Sequence, residues 1–455
     1  VQYDFPIDSL PVDEVYARLS ARKSDYYCFE SLPDSGNDDE VHRFTYIGAQ
    51  PLFIVSACND KTYVDGEEID THGASPLSVL NDLIKRVRIE ASGDVPEGQH
   101  FSGGFVGCFT YEATQYGEPA FMGRTEEGNK TFALGYFPDG LVYDRMMKRY
   151  YYYTRGPDRR AMFRDILRFA AVVDDPSIKL EDPGVLREEF EEKVRRILEW
   201  ILAGDVFQVV LSRRETYDFS GSEVPLYRRL RRECPSHNMH AISIGGLKSM
   251  GSFPEFTLRV TGDHAFTYPI AGTRIRTGDE AVDAVTWTEL INDEKERAEH
   301  IMLVDLGRSD IGRVSEFGTV RLAEIMGRRD AGNVMHIASQ VSGKLRDTVA
   351  PLDALMSIAP MGTVSGAPKV EAMKKIYVLE PGPRGLYAGC VGYVDAGGNQ
   401  SFVANLRSLI QYRSHLIIQA GAGIVADSVP RQEYDETEGK MGVPRRVIEP
   451  YLSRS

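Results

Sequence analysis

The chain has 455 residues, with 53 Lys and Arg against 67 Asp and Glu, a formal charge of −14. Hydrophobic residues make up 42 % and charged residues 26 %, an ordinary globular composition, and roughly 150 residues per domain suggests about three domains. The diffuse acidic balance argues against nucleic-acid binding, no run approaches the ~18 apolar residues of a membrane span, and Val1-Gln2-Tyr3-Asp4 lacks a basic or apolar signal region, so a cytoplasmic protein is expected.

The first ~155 residues read mostly as strands: Arg43 to Ile47 and Leu52 to Val55 around a Gly/Pro turn, Phe105 to Phe109, and the aromatic run Tyr150 to Tyr153. Asp174-Asp175-Pro176 to Asp182-Pro183-Gly184 has linker chemistry. The expected organisation is therefore a β-rich region 1–155, a connecting segment 156–184 and a second region 185–455. Glu188 to Leu202 has helical spacing and ends at Gly204, and Val206 to Leu211 follows as a buried strand. Glu289 to Leu306 and Arg431 to Leu452 read as long helices. Phe402 to Ile410 and Leu416 to Gln419 read as an antiparallel hairpin. Adjacent strands with helices set apart point to an α+β fold rather than a doubly wound parallel sheet. Cys28, Cys58, Cys108, Cys234 and Cys390 are scattered with no C-x-x-C, as expected of reduced thiols.

Gly421-Ala422-Gly423-Ile424-Val425-Ala426 has the local form of a dinucleotide fingerprint, but the helix after it runs nearly to Ser455. No room is left for the following strand and its acidic residue, so the glycines are better read as a close backbone approach. Glu299 shares a helical stripe with Met302, Leu303 and Leu306, one turn after Glu296. Glu433, Glu436 and Lys440 fall at i, i+3 and i+7 of the last helix. Both sets suit solvent-exposed i, i+4 pairing. If the two helices meet, both also suit an oxygen-rich Mg²⁺ pocket. His336 sits inside an apolar strand pattern, as a satisfied core residue or a catalyst, and Arg407 within a strand wants an anion or a structural carboxylate. Gly362 to Lys369 is a small-residue loop entering a helix, a place that favours anions but lacks P-loop spacing.

Five stretches in one order carry a family resemblance: Gly204 to Ser212, Pro269-Ile270-Ala271-Gly272-Thr273-Arg274, Lys295 to His300, Gly362 to Lys369, and Gln419 to Ser428. They resemble the chorismate-utilising enzymes, and within them the anthranilate synthase large subunits. The resemblance implies two packed antiparallel β-sheets with helices outside and the active site between them. It implies Mg²⁺ on Glu299 and Glu436, supported by Glu296 and Glu433, holding the ring carboxylate of chorismate. Tyr393, Arg407, Gly421 and Gly423 would hold the enolpyruvyl carboxylate, and Lys440 would add positive charge. Glu255 matches the family's general acid, and His336 and Thr363 join it in the catalytic set. Gln208, Ala271, Gly272 and Thr273 fall in the substrate site.

Relatives that use water place a lysine where Gln208 stands, and aminodeoxychorismate synthases commonly place a nucleophilic lysine at Ala271. Gln208 cannot deprotonate water and Ala271 cannot form a covalent adduct, which leaves ammonia as nucleophile and anthranilate as product. The alternatives are release of 2-amino-2-deoxyisochorismate, an aminodeoxychorismate synthase, or a non-catalytic ligand-sensing relative. No G-x-C-x-G elbow occurs, so the resemblance implies ammonia from a separate glutamine amidotransferase subunit. Three motifs depart from the family pattern: Phe253-Pro254-Glu255, Gly307-Arg308-Ser309-Asp310 and Asn405-Leu406-Arg407-Ser408. The family's tryptophan feedback site would use Glu30, Ser31, Pro235 and Met239. Here it reads Cys234-Pro235-Ser236-His237-Asn238-Met239-His240, with polar groups in an apolar pocket.

Overall fold

Side chains alternate along the strand Gln208–Ser220, and the alternation sorts its two faces by chemistry. Val209 and Leu211 join Ala422 and Ile424 in a cluster against the helices Arg187–Leu202 and Lys369–Leu379. Gln208, Val210 and Ser212 take the opposite face, beside Gln419, Gly421 and Gly423 of the antiparallel strand His415–Ile424. That polar, glycine-rich face is half of the site described below.

A computed structural model of the chain describes residues 2–5, 7, 10–32, 43–87, 99, 101–122, 128–253, 256–331 and 334–453. Among these residues two 12-stranded sheets are built of antiparallel pairs. The first runs from Gln2–Asp4 at one edge through Tyr26–Glu30, Met239–Ile244 and His415–Ile424 to Ser177–Asp182 at the other. The second runs from Ile270–Ile275 through Val334–Lys344, Gln400–Ala404 and Gly104–Phe109 to Glu67–Ile69. The expected α+β fold of two antiparallel sheets with helices is what the structure has.

The largest core cluster fills the space between the sheets with Tyr27, Phe101, Phe105, Phe109 and Phe402. A second lies on the outer face of the first sheet, under the helices Val12–Ser20, Val224–Glu233 and Pro430–Ile448. Residues 1–155 contribute to both sheets and pair directly with later strands, Glu30 opposite Met239 and Cys108 opposite Val391. Segment 156–184, expected as a connection, holds the helix Arg160–Leu167 and the edge strand Ser177–Asp182.

Three expected elements differ in detail. The helix expected from Glu289 to Leu306 is two helices, Glu280–Asn292 and Glu294–Gly312. Asp293 separates them, extended in backbone and accepting from Glu296 N as an N-cap. The strand expected from Phe402 to Ile410 is broken. Gln400–Ala404 belongs to the second sheet, whereas Ser408–Tyr412 belongs to the first and forms the hairpin with His415–Ile424. Arg407 therefore sits in the crossover between the sheets, at φ +47°. The last helix ends at Ile448 and tightens into a 3₁₀ turn, Glu449–Tyr451, around Pro450.

Candidate active site

The crossover of Arg407 and the glycine face of His415–Ile424 meet strand Ile270–Ile275 around a cavity of ≈180 Å³. His336 enters from Val334–Lys344, opposite Thr273, where the ladder slips between Ala271 and Thr273. Gly272 is the extra residue of that bulge, at φ +68°, and its carbonyl accepts from His336 Nδ1 at 2.9 Å. The carbonyl can only accept, so Nδ1 carries the proton and Nε2 keeps its lone pair. Nε2 is buried and has no protein partner among the described residues. Burial lowers the His336 pKa, opposed by the Gly272 carbonyl and reinforced by the nearby Arg407 charge. A neutral imidazole with one free lone pair thus faces the cavity.

Arg407 lines the same cavity and has no hydrogen bond or ion pair among the described residues. Its place is set by Asn405, whose N–H donates to Gly389 O at 2.8 Å and whose Nδ2 donates to Leu386 O at 3.1 Å. A half-buried guanidinium without a carboxylate is a ready anion site. Thr363 Oγ1, also in the wall, is buried without a partner. Lys440 Nζ donates to Gly421 O at 2.9 Å and pairs with Glu436 at 2.6 Å. Ala271 and Thr273 complete the expected residues of the wall.

Carboxylates of the two Glu-bearing helices lie within electrostatic reach of one another. Glu299 has its pKa raised to about 7, chiefly by burial, with Lys295 opposing and Glu296, Glu436 and Glu433 adding to the rise. Glu433 is buried and its pKa is likewise raised by burial, with Ser428 opposing and Glu436 adding. Glu433 Oε2 has no partner among the described residues. Glu296 is held by Arg274 at 2.9 Å, and Glu436 keeps the i, i+4 pair with Lys440. Converging acids, one with an unpartnered oxygen and one whose pKa burial raises to about 7, form a donor set that a hard cation would complete. No three of them bring their oxygens within 4.8 Å of one another. Among the described residues the set that does so is the surface trio Glu181, Asp218 and His415. Mg²⁺ takes only one or two carboxylates directly and keeps waters and substrate oxygens for its other positions, so it does not require all four acids to close on one point.

Several expected residues lie elsewhere. Tyr393 is not at this cavity. Its ring lies tilted against Phe101 in the inter-sheet core, centroids 4.6 Å apart, and lines a second cavity of ≈110 Å³. The tyrosine in the active-site wall is Tyr387, whose hydroxyl comes within 3.0 Å of where a Gly421 Cβ would stand. Tyr387 and Gln419 were both missed from sequence. Tyr387 lies in a turn with no period to read, whereas Gln419 alternates with Gly421 and Gly423, a signal that could have found it. Gln208 and Gly423 sit beside each other, 2.7 Å from Gln208 Nε2 to a would-be Gly423 Cβ, but do not form the cavity wall. Glu255 lies outside the described residues.

Of the residues expected at a regulatory site, Glu30, Ser31 and Met239 line the second cavity with Tyr393 and His240, whereas Pro235 does not. Glu30 is clasped by Arg231 at 2.7 and 2.8 Å, and the Ser31 hydroxyl is buried without a partner among the described residues. His240 Nε2 lies 3.2 Å from Ser249 Oγ, which donates at 3.0 Å to Asn405 Oδ1. One hydrogen-bonded chain therefore joins the second cavity to the residue that anchors the Arg407 crossover.

Comparison with known proteins places this geometry. The family model described as chorismate binding enzyme matches residues 37–446. Anthranilate synthase component 1 of Methanothermobacter marburgensis is 36 % identical over 432 residues, covering 94 % of this chain and 90 % of that protein. The crystal structure of anthranilate synthase component I from Streptococcus pneumoniae superposes with a TM-score of 0.77 at 30 % identity, covering 91 % of this chain and 94 % of that one. The menaquinone-specific isochorismate synthase of Escherichia coli shares the fold, with a TM-score of 0.71 at 16 % identity over 98 % of this chain and 94 % of that one.

Proposed function

The chain belongs to the chorismate binding enzyme family, and we propose that it works as the large subunit of an anthranilate synthase. It is an enzyme of the lyase class, converting chorismate and ammonia to anthranilate, pyruvate and water. The observation that carries this reading is the unpaired Arg407 guanidinium facing one cavity with the free His336 Nε2 and the free Thr363 hydroxyl.

In this reading Arg407 takes a substrate carboxylate through its planar fork, helped by the backbone at Gly421 and the Tyr387 hydroxyl. Glu299 and Glu436, supported by Glu296 and Glu433, would hold Mg²⁺, which when bound supplies positive charge for the other carboxylate. Lys440 keeps a cation beside Gly421. His336, neutral with Nε2 unprotonated, can accept a ring proton as pyruvate leaves. Glu255 would protonate the departing hydroxyl. Relatives that activate water or form an adduct carry a lysine at position 208 or 271, and with Gln208 and Ala271 standing there ammonia is the nucleophile. That ammonia would come from a separate glutamine amidotransferase subunit, in the cytoplasm, where the five free thiols are at home. The N-terminal region would regulate the reaction, with tryptophan as inhibitor in the second cavity.

The test is direct. The purified chain with chorismate, Mg²⁺ and ammonium should produce blue anthranilate fluorescence with stoichiometric pyruvate. Amination without pyruvate would make it a 2-amino-2-deoxyisochorismate synthase. Chorismate binding without turnover would make it a ligand sensor.

A further inference from the structure

Gln419 is a polar side chain of the active-site wall to which the reaction above gives no role. Gln419 is 8 % exposed and lines the cavity on the same strand face as Gly421. Its Nε2 donates to Ser212 Oγ at 2.8 Å. Ser212 Oγ donates in turn to Glu380 Oε1 at 2.9 Å, and Ser212 N reaches the same oxygen at 2.8 Å. Glu380 is clasped by Arg384, Nε to Oε2 at 2.8 Å and Nη2 to Oε1 at 2.6 Å. Arg384 also donates to the carbonyls of Val364 and Val210, both at 2.7 Å, and is buried.

This chain of bonds decides which way the Gln419 amide points. A carboxylate only accepts, so the single hydroxyl proton of Ser212 is committed to Glu380, and Oγ can offer Gln419 nothing but a lone pair. The amide nitrogen must face Ser212, and Oε1 must face away from it. That oxygen is buried and has no hydrogen-bond partner among the described residues. The network satisfies its charged members and leaves one buried carbonyl oxygen of a cavity-lining residue without a partner among the described residues, which marks that oxygen as an acceptor for a ligand.

We propose that Gln419 Oε1 binds substrate by accepting an N–H or O–H hydrogen bond, with Ser212, Glu380 and Arg384 as its positioning residues. The inference rests on the reaction proposed above and deepens it. Chorismate's carboxylates and ether oxygen have no proton to give, so the donors available are the ring hydroxyl and ammonia. A carbonyl that accepts one ammonia N–H orients the molecule while leaving its lone pair free to attack.

The test uses the full chain with Mg²⁺, titrating ammonium and chorismate separately and following thermal unfolding in parallel. Gln419→Met keeps the volume and removes the acceptor. It should raise the KM for ammonia roughly tenfold or more, with chorismate KM and melting temperature little changed. Ser212→Ala releases the amide to rotate and should raise the same KM by a smaller factor. A rise confined to chorismate KM makes the ring hydroxyl the donor and equally supports the acceptor role. Unchanged KM values in both variants overturn it, as does a loss of kcat that merely tracks a lowered melting temperature. If Gln419→Met does not fold, Ser212→Ala decides alone. Should the unmodified chain make no anthranilate, the proposed function itself falls, and this inference with it.

Discussion

Replacing Arg407 by glycine separates binding from folding at one position. The residue holds φ +47°, a left-handed conformation that costs a side chain about 1–2 kcal/mol. Glycine relieves that strain and gives back about 0.5–1 kcal/mol through the unfolded chain. No hydrogen bond or ion pair among the described residues is lost. The net expectation is a protein as stable as the parent or about 1 kcal/mol more so. Chorismate should bind far worse, because a hydrogen-bonded charged partner is worth about 1.5–3 kcal/mol, or roughly 10- to 150-fold. Arg407→Lys keeps the charge without the fork and should fall between. Steady-state KM for chorismate at saturating ammonium, with thermal unfolding on the same samples, reads both effects. A marked drop in melting temperature with unchanged chorismate KM would falsify the reasoning, since it would make Arg407 a structural residue.

The remaining expectations address the glycine face, the acids and the second cavity. Gly421→Ala would put a methyl 3.0 Å from Leu211 O and from the Tyr387 hydroxyl and 3.1 Å from Val210 Cγ1. Overpacking of this kind costs about 1–3 kcal/mol, and chorismate KM should rise more than stability falls; an unchanged KM would place the substrate elsewhere. Glu299→Gln should abolish turnover and also the rise in melting temperature that Mg²⁺ gives the parent, so a retained Mg²⁺ shift would remove Glu299 from the metal set. His240 has its pKa lowered to about 4 by burial, with an Asn405 hydrogen bond opposing. Its folded pKa lies below the unfolded value, so its stability is intact above pH ~6.5 and is lost as pH falls toward 4, about 2 kcal/mol by pH 5. His240→Phe should therefore melt with a weaker acid dependence between pH 7.5 and 5, and an identical dependence would mean that His240 titrates normally.

Residue chemistry foretold a large part of this site and local pattern much of the fold. The strand of Gln208 and Val210, the helix Arg187–Leu202, and the carboxylate pairs on two helices are legible from periods of 2 and 3.6 alone. The mistakes share a cause. A period-two pattern names a strand's face but not its sheet, so 402–410 read as one strand where the chain crosses between two. Tyr393 and Tyr387 lie six residues apart with similar neighbours, and sequence order cannot say which reaches the cavity. Asp293 reads as helix interior until its side chain is seen capping the next helix.

What this sequence determines by itself is the chemical inventory: antiparallel strands, two E-x-x-E helices, an Arg and a His in apolar surroundings, and no lysine at 208 or 271. Only the family resemblance gives positions 208 and 271 their meaning for the nucleophile. Tertiary structure decided everything that depends on distance. It brought Glu299 toward Glu433 and Glu436, and it sent Tyr387 rather than Tyr393 to the cavity. It left Arg407 unpaired and oriented the Gln419 amide through Ser212. Those are contacts between residues tens to hundreds of positions apart, and no local period encodes them.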